Sequence, residues 1–287
     1  MPRFFDALYG SIEIPDWISP FLIIPEFIRL RDVRLSNVDS IDYKDFGSAN
    51  RWSHAIGVAY LSTICATERE LDTKDRIILT LAGLLHDVAT PPFAHTAEYV
   101  LTGFSHEIET SKILSQFTSE ITNPNIPIFG SALPAFNAEC RKLSSRIGVK
   151  ISPEEISECI LGAGPLGFLI SGTIDLDNAD NVVRGSYFMG INVSRSLPVE
   201  IAKWLARQSS APLCLNSIDV DIIKDWRSTR EQYYSNFFSS SDQELGRQAL
   251  LQHLMRRAIS SGMSQSTLVW NTDSGFLYAA ESIEDSD

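Results

Sequence analysis

The sequence predicts a mostly α-helical protein. Three observations carry that expectation: apolar residues recur at helical spacing, helix-start signals precede several of those runs, and no strand-like alternation is sustained.

Pro15–Asp16–Trp17 and Pro25–Glu26–Phe27 each resemble a helix start, with proline in the first turn and an acid after it. Arg29, Arg31 and Arg34 follow as a small basic cluster, either a solvated face with salt bridges or a phosphate clamp. From Ser53 to about Leu71, Ile56, Ala59, Tyr60 and Ile64 keep helical spacing, with Ser53 as the expected N-cap. Asp72 or Thr73 opens the next helix, which runs through Leu84 and Leu85 and must stop before Pro91–Pro92. His95–Leu101 and His106–Phe117 read as two more helices, split by Gly103. Residues 118–150 carry Pro, Asn, Ser and Gly and read as an irregular insertion, a candidate lid. Ser152–Pro153–Glu154–Glu155 is a capping box. Leu176, Ala179, Val182 and Val183 suit a buried helix that also carries Asp175, Asp177 and Asp180. Pro198–Gln208 and Gln243–Ser260 read as helices, and the acidic tail from Ser274 as fraying. The expected organisation is a core over 1–195 and a helical C-terminal extension over 196–287.

Composition narrows the partners. A chain of 287 residues with a net charge of −12 lacks the broad basic surface of a non-specific nucleic-acid binder. The run Phe21–Ile28 is short and broken by Pro25, so no membrane span is expected. Cys65, Cys140, Cys159 and Cys214 form no CxxC pair and no secretory signal is visible, which together predict a cytoplasmic protein with buried free thiols.

The chemistry concentrates around Leu81–Glu98, LAGLLHDVATPPFAHTAE. His86–Asp87 closes an apolar helix, His54 lies one helix upstream, and His95 with Glu98 sits at i, i+3 on one helical face. Together, His54, His86, Asp87 and Asp177 make a mixed nitrogen and oxygen set suited to one divalent metal such as Mn, Fe, Co or Zn. Such an ion acidifies a bound water and neutralises a phosphate oxygen, as phosphoester hydrolysis requires.

At this point the chain resembles the HD-domain metal-dependent phosphohydrolases, and more closely the deoxynucleoside triphosphate triphosphohydrolase branch. The resemblance runs from about Phe5 to Ile191 through LYGSIEI, FIRLRDV, NRWSHAIGVAYL, LAGLLHDVATPPFAHTAEYV, SHEIE and IDLDNADNVVRG. It implies an HD-domain helical bundle with His54, His86, Asp87 and Asp177 as metal ligands, Mn foremost, with Fe, Co, Ni, Zn or Mg as alternatives. It further implies His95 as the catalytic histidine with Glu98 as its acidic partner, and Arg51, His106 and Arg184 as phosphate contacts. His106 could equally cap its helix. The implied partner is a nucleotide or another phosphorylated small molecule, and the multimeric habit of such proteins implies a homo-oligomer.

Three departures stand out. The second histidine of the family's H-D-x-G-H is Thr90, assigned here to phosphate binding because a hydroxyl can bond a phosphate but cannot supply a proton near neutral pH. The segment after RLR is Asp32-Val33-Arg34-Leu35-Ser36 where the family has a sugar-sensing glutamine. The positions of the base-stacking tyrosine and sugar-binding aspartate are Asn181 and Gly185. The expected function is thus metal-dependent hydrolysis of a nucleotide, dNTP triphosphohydrolysis included. The alternatives are nucleotide sensing without turnover, and 5′-nucleotidase or cyclic-nucleotide phosphodiesterase activity.

Overall fold

Asp6 makes the chain's first turn. Its Oδ1 accepts hydrogen bonds from Leu8 N and Tyr9 N at 2.8 and 3.0 Å, joining the antiparallel strands β1 (Arg3–Asp6) and β2 (Gly10–Glu13) in the register Arg3↔Glu13. A computed structural model describes residues 3–36, 43, 45–116, 133–209, 219–238 and 242–282. This hairpin was not expected: four-residue strands are too short to leave a readable alternation. Both proline-led starts do begin helical turns. The first is a 3-10 segment, Asp16–Ile23, and the second is a single turn, α1 (Pro25–Ile28), because Pro20 and Pro25 interrupt the hydrogen-bond ladder.

Two longer helices build the frame. Asn50, in extended backbone, accepts from Ser53 N at 2.9 Å and opens α2 (Arg51–Glu68), so Asn50 and not Ser53 is the N-cap. Asp72 accepts from Asp75 N at 2.8 Å and opens α3 (Thr73–Leu85), which ends where His86 caps it. The two helices cross closely at Gly83, where a Cβ would lie 2.4 Å from Ser62 Oγ. Then follow α4 (His95–Glu98), α5 (His106–Gln116), α6 (Leu133–Ile147) and α7 (Pro153–Ile160), the last capped by Ser152 as expected. Of the insertion at 118–150, residues 117–132 lie outside the described residues, as does Cys214. Residues 133–147 are not irregular but helical, and bury Cys140 and Leu143 in the core.

Asp175 caps α8 (Leu176–Phe188) by accepting from Asn178 N at 2.7 Å. Next, α9 (Leu197–Ala206) packs against α2 and α8 and buries Ile201 and Trp204 in the core that holds Val58, Leu81 and Val182. The C-terminal segment adds α10 (Val220–Phe238), α11 (Asp242–Ser260), α12 (Gln265–Val269) and α13 (Asp273–Glu281). Sequence periodicity missed α10, whose exposed face is mostly charged. The tail from Ser274, expected to fray, forms α13 instead, because Phe276 is buried in a second core with Phe93, Leu101, Met255 and Trp270. Residues 283–287 lie outside the described residues. No helix among the described residues is long and apolar enough to cross a membrane.

Candidate metal centre and active site

Three helices converge on one buried point. His54 faces inward from the first turn of α2, His86 and Asp87 leave the end of α3, and Asp177 lies in the first turn of α8. One ligand atom from each of His54, His86 and Asp87 falls within 4.8 Å of the others. His54 Nε2 lies 3.7 Å from Asp87 Oδ2 and 2.9 Å from Asp177 Oδ1, and the corresponding His86 distances are 3.5 and 3.6 Å. The structure therefore gathers all four expected ligands.

The imidazole orientations test whether this set fits a metal. His86 Nδ1 lies 2.9 Å from Gly83 O, and a carbonyl can only accept, so Nδ1 carries the hydrogen and Nε2 of the neutral ring has a free lone pair. His54 Nδ1 faces Asp180 Oδ1 at 2.7 Å in the same sense. Both Nε2 atoms are buried; that of His86 makes no hydrogen bond, and that of His54 faces Asp177 Oδ1 at 2.9 Å. Two buried imidazole nitrogens aimed at the carboxylates of Asp87 and Asp177 make a donor set that suits a divalent ion. The charges respond accordingly. Burial alone would raise the Asp87 carboxyl, but Arg51, His86 and His106 hold it well below the ordinary range. Burial would lower His54, yet Asp177 and Asp180 together lift it to about 9.

A second layer braces His54. Asp180 accepts from Arg184 Nε at 2.7 Å and from Tyr9 Oη at 2.6 Å, and Arg184 also donates to Asp6 at 3.0 Å. Gly57 makes room for it: a Cβ there would sit 2.1 Å from Asp180 Oδ2.

Beside the metal cluster, Glu98 holds two histidines. Its Oε2 lies 2.6 Å from His95 Nδ1 and its Oε1 2.5 Å from His106 Nδ1. His106 Nε2 in turn approaches Asp87 Oδ1 at 3.4 Å. Burial would raise Glu98, but His106 and His95 hold its carboxyl far down, so it stays charged between them. His106 does not cap α5; Ser105 Oγ accepts from Ile108 N at 3.3 Å. His95 is half exposed and, with Arg51, lines a cavity of about 250 Å³. Asn181 of α8 and Tyr233, Tyr234 and Phe237 of α10 line the same cavity.

The other expected phosphate contacts fare differently. Arg51 opens into the cavity while donating to Asp87 Oδ2 at 2.7 Å. Thr90 is corrected: it is buried and its hydroxyl donates to Asp87 Oδ1 at 3.0 Å, which spends the one donor a phosphate would need. Arg184 is corrected too, since it is fully buried with its guanidinium held by Asp180 and Asp6. Arg29 of the basic cluster is neither solvated nor a clamp: it donates to the carbonyls of Val88, Thr90 and Asn271 at 3.0, 2.7 and 2.7 Å.

The sequence that builds this site has relatives elsewhere. The HD domain family matches residues 51–128, the stretch that supplies His54, His86 and Asp87. Over this stretch the chain resembles the HD-domain superfamily. HD domains bind a divalent metal, and a His-His-Asp cluster lies within the matched stretch. A deoxynucleoside triphosphate triphosphohydrolase SAMHD1 homologue from Dictyostelium discoideum is 28% identical over 196 residues, 64% of this chain and 36% of the relative. An uncharacterised protein of Methanocaldococcus jannaschii is 26% identical over 64% of this chain and 33% of its own length. The SAMHD1 triphosphohydrolase of Gallus gallus is 34% identical over 33% of this chain and 16% of its own. The chain thus spans about a third of the first two relatives.

Sequence reasoning overlooked several residues of this site. The i, i+3 spacing of Asp177 and Asp180 could have placed Asp180 beside His54. Tyr9, Tyr233 and Tyr234 gave no local signal, because only tertiary packing brings them there.

Proposed function

We propose that this HD protein is a metal-dependent phosphohydrolase acting on a nucleotide, in the manner of a dNTP triphosphohydrolase. The observation that carries the proposal is the adjacency of two things. One is a ligand set with two buried imidazole nitrogens aimed at two carboxylates; the other is a cavity lined by a cation (Arg51), a carboxylate-braced histidine (His95) and an aromatic wall (Tyr233, Tyr234, Phe237). Arg51 suits a phosphate oxygen, and aromatic rings suit a base.

His54, His86, Asp87 and Asp177 would hold the ion, which when bound supplies Lewis acidity and an acidified water. Manganese fits the mixed donor set, as do iron and cobalt. Arg51 neutralises substrate charge from its anchor on Asp87. His95 keeps Nδ1 on Glu98, leaving Nε2 to give or take a proton at the substrate oxygen that needs it. Glu98, shared with His106, fixes the ring.

Sugar reading has been rebuilt. At Gly185, where related triphosphohydrolases are expected to carry an aspartate, a Cβ would lie 2.5 Å from the Tyr233 ring, so α10 fills that space. This supports altered sugar selection within the same reaction class. The three described cysteines are buried free thiols, which supports a reducing, cytoplasmic setting. A homo-oligomer is part of the proposal and is read by size-exclusion chromatography with light scattering.

The test is incubation with Mn²⁺, Fe²⁺, Co²⁺, Ni²⁺, Zn²⁺ or Mg²⁺ and a nucleotide panel, with products read by mass spectrometry. Triphosphate release is expected. Inorganic phosphate or a linearised cyclic nucleotide would redirect the reading to a nucleotidase or a phosphodiesterase. His95→Ala should keep its metal and lose turnover by about 10²- to 10⁴-fold. One observation favours a second reading, sensing without turnover: Thr90 gives its only hydroxyl proton to Asp87 and leaves no proton donor at that position. Ligand-dependent thermal stabilisation with no product from any nucleotide would select it.

A further inference from the structure

His95 follows the most unusual backbone in the described chain. Phe93 (φ 57°) and Ala94 (φ 47°, ψ −125°) are consecutive non-glycine residues on the positive-φ side. Side chains with a Cβ resist that region, and such conformations persist only where their surroundings hold them. What holds this pair comes from the far end of the chain. Asp273, in the first turn of α13, accepts from Phe93 N through Oδ1 at 2.8 Å, across 180 residues. Its Oδ2 accepts from Arg34 N at 3.2 Å and Arg34 Nε at 2.7 Å. The Arg34 guanidinium lies over the Phe93 ring at 5.1 Å, and Phe276 meets that ring edge-on at 6.2 Å. Phe93 is buried, so without Asp273 its N–H would have neither water nor protein to donate to.

We infer that Asp273 is a positioning residue for His95: its carboxylate, locked by Arg34, fixes the left-handed Phe93–Ala94 pair that turns His95 into the nucleotide cavity. No contact between Asp273 and the substrate is involved. The inference rests on the proposed phosphohydrolase reading for its catalytic consequence, but not for the clamp itself.

Amide hydrogen exchange and kinetics on the full-length protein separate the two. In Asp273→Ala, exchange over residues 91–98 should rise about tenfold or more while metal stoichiometry is unchanged. With the cleaved nucleotide, kcat should fall about 10- to 100-fold and KM by less than about threefold, since a displaced catalytic group costs turnover before binding. Asp273→Asn, which keeps the acceptor for Phe93 N but loses the charge facing Arg34, should fall between. Ala94→Gly removes the steric need for the clamp, so it should restore part of the loss in the Asp273→Ala background and do little in the wild type. Unchanged exchange over 91–98 in Asp273→Ala, or an equal effect of Ala94→Gly in both backgrounds, would overturn the inference. If the wild type cleaves no nucleotide, the phosphohydrolase reading fails, and the exchange measurements on the same variants still decide the clamp.

Discussion

Glu26 is buried on α1, and no other residue hydrogen-bonds its carboxylate. Burial pushes its carboxyl above the ordinary range, and its own backbone N–H and the nearby charge of Arg29 only partly offset this. The sign of the linkage is unusual for an acid. The folded chain holds the proton more tightly than the unfolded one, so stability falls as pH rises from the unfolded value of about 4.3 to the raised folded value. Glu26→Met should therefore be more stable than wild type near neutral pH by about 1–3 kcal/mol. That gain should shrink towards pH 4, as read by denaturant unfolding across pH. The cysteines give an opposite kind of expectation. Burial pushes Cys65, Cys140 and Cys159 up to about 12, so all three should stay unalkylated by iodoacetamide in the native protein and react on unfolding, read by peptide mass mapping.

Among the elements, the α2–α8 contact sets the ligand geometry, and Gly57 is its closest point. A methyl at that position would run into Asp180 and Arg184, both fixed in a buried network. Gly57→Ala should cost about 1–3 kcal/mol of stability by overpacking. It should also weaken metal binding, because His54 loses its brace; isothermal titration with Mn²⁺ reads the second effect. The same elements tell what the sequence made legible. Helices α2, α3, α7 and α8 could be read because each joins an apolar stripe to a nearby cap residue: Asn50, Asp72, Ser152 and Asp175 accept from backbone amides, though Ser53 was the expected cap of α2. The four metal-set residues were legible through their types and order. The hairpin and α10 were not, since one is too short for a period and the other carries its apolar contacts among charges. Nor could Arg184 be read correctly: an arginine beside acids looks the same whether it awaits a phosphate or is already neutralised by Asp180 and Asp6. The positive φ values at Phe93 and Ala94 had no local cause at all, because nothing near them in sequence calls for glycine-like backbone.

At the scale of the whole molecule, the metal should act as a structural cross-link among α2, α3 and α8. Chelation with EDTA should lower the melting temperature, and excess Mn²⁺ should restore it. An ion at a hundred times its dissociation constant contributes about 2.7 kcal/mol to the folded state. Differential scanning fluorimetry with and without chelator checks this, and a melting temperature indifferent to both would remove the metal from the fold's energetics. The long-range bonds also impose an order of assembly. During synthesis the segment from Arg51 to Phe188, with all four expected ligands, leaves the ribosome well before Asn271 and Asp273 are made. Arg29 meanwhile has only two of its three carbonyls, those of Val88 and Thr90, and Phe93 N has no acceptor. The four expected ligands are thus made before the carboxylate that accepts from Phe93 N. A chain cut short just before Asn271 would keep α2, α3, α8 and α9 but lack the acceptor of Phe93 N, and should hold His95 less firmly.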